Sequence, residues 1–214
     1  MPIRPVAILA AAGLVVGAYF LGSPSSSQAR FIPVVSAFAG VSLVWMLWLP
    51  KRGTVVSGLV VTAMVALYAG ALLFHAPLIR ALEQGREWTI LLLVASFASD
   101  TSAFLVGRRI GRTSLAPIIS PSKTWEGAAG GLFGALVASL LVYYVLGLEA
   151  RVWDALAVGA LIGTSGQAGD LAISRMKRMA AVKDSGRLVP GHGGVLDRVD
   201  SIVFNLVVVY YFLR

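Results

Sequence analysis

The chain has no cysteine among its 214 residues, so neither a disulfide nor a thiolate metal site can form. It is also short of charge. Asp, Glu, Lys and Arg make up 13% of it, where a soluble domain carries about 25%. So few charges cannot cover a water-facing surface. No G-x-x-x-x-G-K-[ST] loop occurs, so any phosphate site has to be built without a P-loop. What the chain has instead is apolar residues, 57% of the total, and a mean hydropathy of +0.82. Its net charge is +8, compatible with nucleic acid or anionic lipid. In a membrane protein the position of such charge tells more than its sum.

Seven apolar runs lie near 5–22, 31–49, 53–75, 88–107, 127–148, 152–174 and 200–213. A membrane helix needs about 20 apolar residues, so six qualify and the last is short, tilted or part-spanning. The first run, after Arg4 and before a Ser-rich stretch, could also be read as a cleaved signal, but it is long for one. The expected fold is an all-α polytopic membrane protein of about seven transmembrane helices, with a polar cavity open to the cytosol. Residues 1–90 are the N-terminal helices. Residues 91–214 form a catalytic membrane region with cytosolic loops 108–126 and 175–199.

Loop charge orients this arrangement. Thirteen Lys and Arg residues fall on the side of those two loops and five on the other. Without the cluster at 174–198 the count is seven against five, the same sign but weaker. The positive-inside rule puts the loops in the cytosol, as expected of a multi-pass protein of the cell's inner membrane.

The polar residues that interrupt the apolar pattern are few and grouped. Asp100 lies about two-thirds along the fourth run, where a carboxylate costs roughly 2.5–3.5 kcal/mol on insertion scales. It either pairs with Arg108 near the membrane surface or faces a polar cavity. Asp170 repeats the oddity in the sixth run. Asp170, Ser174 and Lys177 recur at i, i+4, i+7 and share one helix face. Gly159, Gly163, Gly166 and Gly169 thread the same helix as small packing residues. The loop IGRTSLAPIISPSKTWEG follows the fourth run, with Pro117 and Pro121 as helix stops. It offers donors at Ser120, Ser122, Lys123 and Thr124, then Trp125 as an interfacial anchor and Glu126 at the next helix start. The longest polar stretch runs from Asp170 to Asp200. It holds four carboxylates, Asp170, Asp184, Asp197 and Asp200, with Lys177, Arg178, Lys183 and Arg198 among them. His192 sits in a Gly191-His192-Gly193-Gly194 turn. Acids that can hold a divalent cation beside bases that can hold phosphate point to chemistry on a nucleotide or polyphosphate.

The stretch Ser174-Arg-Met-Lys177-Arg178, Lys183-Asp184-Ser-Gly186 and Pro190-Gly-His192-Gly193-Gly194-Val-Leu-Asp197-Arg198-Val-Asp200 resembles the signature of the phosphatidate cytidylyltransferases, the CDP-diacylglycerol synthases. SPSKTWEG, Asp100-Thr101 and Gly169-Asp170 resemble further motifs of that family. The resemblance covers residues 95–205; the first 90 match only as membrane helices. Ser122, Ile173 and Val189 depart from it, standing where a second Lys, a Glu and a larger aliphatic are usual.

The resemblance implies condensation of CTP with phosphatidate to CDP-diacylglycerol and diphosphate. Asp170, Asp197, Lys177 and Arg198 would then be catalytic. Asp170 and Asp197 would hold Mg²⁺, with room for a second, monovalent cation. Asp100, Ser120, Lys123, Thr124, Ser174, Arg178, Lys183, Asp184, His192, Gly193, Gly194 and Asp200 would bind substrate. The glycines let backbone N–H groups approach phosphate. His192 donates to phosphate, or only closes its turn. CTP, phosphatidate and membrane lipids are the expected partners, with no nucleic acid; a homodimer stays open. Two rivals remain. One is a CTP-dependent enzyme acting on polyprenol, phytol or an archaeal ether lipid. The other is a cation transporter, which gives no reason for a His-Gly-Gly turn among fixed acids and bases.

Overall fold

The computed structural model describes residues 73–179 and 196–214, with the backbone alone at 176–179 and 196–200. The chain divides into two compact units, Met1–Leu82 and Glu83–Arg214. The expected spans at 5–22, 31–49 and nearly all of 53–75 lie outside the described residues. The described end of the first unit holds a helix that hydropathy did not signal, α1 (His75–Arg80).

The second unit runs α2 (Gly85–Ile110), β1 (Ser114–Ala116), β2 (Ser120–Thr124), α3 (Trp125–Leu146), α4 (Val152–Met179) and α5 (Leu196–Leu213). α2, α3 and α4 are each long and apolar enough to cross a membrane. α4 has 28 residues, about 42 Å, so its C-terminal turns outrun a core of about 30 Å. The apolar part of α5, Ser201–Leu213, covers only about 20 Å. α5 also starts earlier than its hydropathy suggested. Asp197 and Arg198 lie in its opening turns and not in the preceding loop, and Asp200 follows them on the helix.

Local signals set the helix ends. α3 starts at the N-cap Thr124, whose Oγ1 accepts from the Gly127 N–H at 3.1 Å. It stops at Gly147, which takes the left-handed conformation at φ 62°, with Leu148 N–H bonded back to the Tyr143 carbonyl. Arg151 and Asp154 then form a fork-to-carboxylate pair at the start of α4.

The expectation of an all-α chain is corrected between α2 and α3. The loop is a two-stranded antiparallel hairpin, with Ser114 opposite Thr124 and Ala116 opposite Ser120. Pro117 sits at the second position of its turn, closed by Ile119 N–H to the Ala116 carbonyl at 3.2 Å. At the base, Thr113 N–H donates to the Glu126 carboxylate and Trp125 N–H to the Thr113 carbonyl. α2 has already ended at Ile110; Pro117 builds the turn between the strands, and Pro121 lies in β2.

Small residues let α2 and α3 approach closely. A Cβ at Gly130 would meet Val106 at 2.6 Å, and one at Gly127 the Ala103 carbonyl at 2.8 Å. In lipid such close packing replaces the hydrophobic drive that water supplies to soluble helices. α2, α4 and α5 are joined differently. Asn205 Nδ2 donates to Ser96 Oγ at 2.8 Å, and Ser165 Oγ to Asn205 Oδ1 at 2.6 Å. Ser96 and Asn205 are each 1% exposed.

Candidate active site

About one helical turn from the Asn205 cluster, toward the hairpin, the polar groups stop closing on one another. Ser201 Oγ on α5 donates to Asp100 Oδ2 on α2 at 3.0 Å. Asp100 does not pair with Arg108, the bland expectation for it; Arg108 instead lies over the Phe104 ring, 6.0 Å from its centroid. Lys123 of β2 and Asp170 of α4 form an ion pair. Ser174 Oγ, one turn on, reaches Asp170 Oδ1 at 3.4 Å. Lys123 Nζ is wholly shielded from solvent, and Asp170 is the partner that answers its charge.

Of these, Asp100, Phe104, Arg108, Lys123 and Asp170 line a cavity of about 570 Å³. Its walls are Asp100, Ala103, Phe104, Gly107 and Arg108 of α2; Leu115, Ser122, Lys123 and Thr124 of the hairpin; Gly127 and Ala128 of α3; and Gln167 and Asp170 of α4. Gln167 Nε2 donates to the Ala128 carbonyl at 2.9 Å. A carbonyl only accepts, so the amide's orientation is settled by chemistry.

Of the residues singled out from the sequence, the structure brings Asp100, Lys123, Thr124 and Asp170 into this cavity, with Ser174 bonded to Asp170. Ser120 belongs to β2 opposite Ala116 and is not among the lining residues. The backbone sets Lys177 and Arg178 at the C-terminal end of α4, and Asp197, Arg198 and Asp200 at the start of α5. Lys183, Asp184, His192, Gly193 and Gly194 lie outside the described residues, as does Val189. Ile173, where relatives by motif would carry Glu, is 1% exposed and belongs to the apolar core. Sequence reasoning missed Gln167 and Ser201. Gln167 had a signal, a polar residue three before Asp170 on the same helix face.

Among the described residues no group of three or more His, Asp or Glu could hold a metal. The lining carries two carboxylates, Asp100 and Asp170; a Mg²⁺-type cation takes one or two protein acids and completes its shell with water and phosphate. Asp170 and Asp197 stand on packed neighbours, α4 and α5.

The unit is helical, with three helices long and apolar enough to cross a membrane and an acid- and cation-lined cavity beside them. The sequence model of the cytidylyltransferase family matches residues 3–214, and the chain belongs to that family. It is 43% identical over 124 residues to a phosphatidate cytidylyltransferase of Staphylococcus aureus, covering 58% of this chain and 48% of that one. The phosphatidate cytidylyltransferase of Staphylococcus haemolyticus is 40% identical over 124 residues, with the same coverage. The uncharacterized protein YnbB of Escherichia coli is 41% identical over 133 residues, 62% of this chain and 44% of that one. The chain spans about half the length of the curated relatives it matches.

Proposed function

We propose that this chain transfers the cytidylyl group of CTP to phosphatidate, giving CDP-diacylglycerol and diphosphate. The observation that carries the reading is the meeting of Asp100, Lys123 and Asp170 in one cavity beside membrane-length helices, in a member of the cytidylyltransferase family. The attacking atom is a phosphate oxygen of the lipid. A phosphomonoester has its second pKa near 6, so this oxygen is already anionic at neutral pH and needs no strong base. It bonds to the α-phosphorus of CTP as the bond from that phosphorus to the diphosphate breaks. The difficulty is bringing two polyanions together. Mg²⁺, held by Asp170 and Asp197, would neutralise charge on the triphosphate. Lys123 exchanges its pair with Asp170 for a phosphate oxygen. Lys177, Arg178, Lys183 and Arg198 supply further cations for the triphosphate and departing diphosphate, and His192 with its glycines donates hydrogen bonds. Asp100 positions Ser201 and the floor of the cavity.

In this reading the chain crosses the membrane about seven times, and the hairpin end faces the cytosol because CTP is a membrane-impermeant anion. Arg108, Arg109, Arg112, Lys123 and Arg175 lie at that end of the unit, against Arg86, Arg151 and Arg214 at the other. Single cysteines at Ile118 and Glu149 report the sidedness, in a chain with none of its own. They should label from opposite faces of sealed inverted vesicles, Ile118→Cys from the cytosolic one. Labelling of Ile118→Cys only from the other face overturns the orientation.

The reaction itself is tested with purified protein, Mg²⁺, phosphatidate and CTP labelled separately at the α- and γ-phosphorus. α-Label entering the lipid and γ-label leaving as diphosphate is the expected result. Transfer of γ-label to a lipid with release of CDP would make the protein a lipid kinase and end the proposal.

A further inference from the structure

On α2 three exposed residues also line the cavity: Asp100, Phe104 and Arg108. Phe104 is 62% exposed and also forms part of the cavity wall. Arg108, one turn on, is exposed and also lines the cavity. Phe97, 58% exposed, lies two turns before Phe104. At 100° per residue, Phe97, Phe104 and Arg108 fall within about 40° of one another around the helix. They form one continuous strip that starts on the apolar flank and ends at the cavity mouth.

The end of the strip is a cation without an acid. The ion pairs among the described residues are Lys123–Asp170 and Arg151–Asp154; Arg108 is in neither. Its guanidinium instead stands over the Phe104 ring. That placement holds the group on the strip and leaves its N–H edge able to take two oxygens of one phosphate. Arg109 and Arg112 add positive charge at the same helix end. The length also fits. Eleven residues from Phe97 to Arg108 rise about 16 Å, close to the half-thickness of a hydrocarbon core of about 30 Å.

α3 provides the contrast. Its exposed strip of Phe133, Val137, Leu141 and Tyr144 is as apolar, but none of these four lines the cavity and no cation ends it. That strip is what bulk lipid requires of any membrane helix. The strip on α2 has a charged terminus beside the reaction chamber.

We propose that the Phe97–Phe104–Arg108 face of α2 is the seat of the lipid substrate. The phosphate lies on Arg108 at the cavity mouth, and an acyl chain runs back along Phe104 and Phe97 into one leaflet. The occupant is a diacyl phosphomonoester, matched by charge at one end and by apolar length at the other. Arg108 is a binding residue for the lipid and takes no part in holding the nucleotide. The assignment rests on phosphatidate being the lipid substrate.

The test uses the full-length protein in bilayer nanodiscs and phosphatidate carrying a photoreactive diazirine in one acyl chain. Adducts should concentrate on the peptide containing Phe97 and Phe104. Unlabelled phosphatidate should compete them away, and diacylglycerol should not. Arg108→Ala should lower this labelling at least about tenfold, with Arg108→Lys between the two. In steady-state assays Arg108→Ala should raise the KM for phosphatidate by a similar factor and leave that for CTP within about twofold. Equal labelling of α2 and α3, insensitive to competitor, overturns the proposal. So does an equal rise in both KM values, or an unchanged KM for phosphatidate. Should Arg108→Ala fail to fold, Arg108→Lys and Phe104→Ala carry the same comparison. Labelling needs no turnover, so the two readings can fail separately. Competition by phosphatidate without CDP-diacylglycerol formation in the wild type sinks the reaction and keeps the seat; turnover without competition does the reverse.

Discussion

Ser96, Ser165 and Asn205 lie at mid-bundle and bond to one another, with the Ser165 hydroxyl shared with the Leu161 carbonyl, while Asp100, Lys123 and Asp170, nearer the hairpin, face a cavity. Both clusters are polar groups among apolar helices; the first joins α2, α4 and α5, and the second joins α2 to α5 and the hairpin to α4. The first is neutral, with Ser96 and Asn205 buried and Ser165 half-buried, and is matched by short side-chain bonds. The second is ionic, and part of its surface is open. A matched polar cluster fixes how helices pack. A charged cluster bordering empty space is costly to keep for packing alone and is the place to look for chemistry.

If that division is right, damage to the two clusters should separate. The largest effect is expected from Asp170→Asn. It removes the carboxylate charge and the partner of Lys123 with almost no change of shape, so turnover should fall about 10²–10³-fold. Near-normal activity at saturating Mg²⁺ would remove Asp170 from the reaction. Lys123→Ala comes next. A charge-assisted contact is worth about 1.5–3 kcal/mol, so the KM for CTP should rise about tenfold or more while the protein still inserts. An unchanged KM for CTP would show that the ion pair only ties the hairpin to α4.

Effects confined to stability should be smaller. Gly130→Val forces a side chain into Val106 and should cost about 1–3 kcal/mol in unfolding by denaturing detergent. A wild-type midpoint would mean that α2 and α3 are not closely packed there. Asn205→Leu should cost about 0.6–1.7 kcal/mol, the range of interhelical hydrogen bonds in membranes. A larger loss of activity than of stability in this variant would blur the division.

Much of the second cluster was legible in the sequence because charge is rare in apolar runs. Asp100 and Asp170 stood out for that reason, and Lys123 lay in a motif. The cluster around Asn205 was not legible. One amide in the run IVFNLVVVYYFL barely lowers its hydropathy, and its Ser partners lie 40 and 109 residues away. The hairpin was hidden for a different reason. Its strands have three and five residues, too short for alternation to show, so the prolines read only as breaks. The opening of α5 was lost because its first turns are polar, and hydropathy places a helix start at the first apolar residue.

The contrast between the clusters is tested most directly by measuring turnover per folded molecule and the unfolding midpoint side by side for Asp170→Asn and Asn205→Leu. The account predicts that turnover tells the two apart. Asp170→Asn leaves the shielded Lys123 ammonium without its acid and lowers the midpoint, yet each folded molecule still loses about 10²–10³-fold in turnover, whereas Asn205→Leu unfolds more easily and keeps turnover per folded molecule within about twofold. If folded Asp170→Asn instead turns over at a rate near that of the wild type, the cavity cluster is a packing device, and the account of this site is wrong.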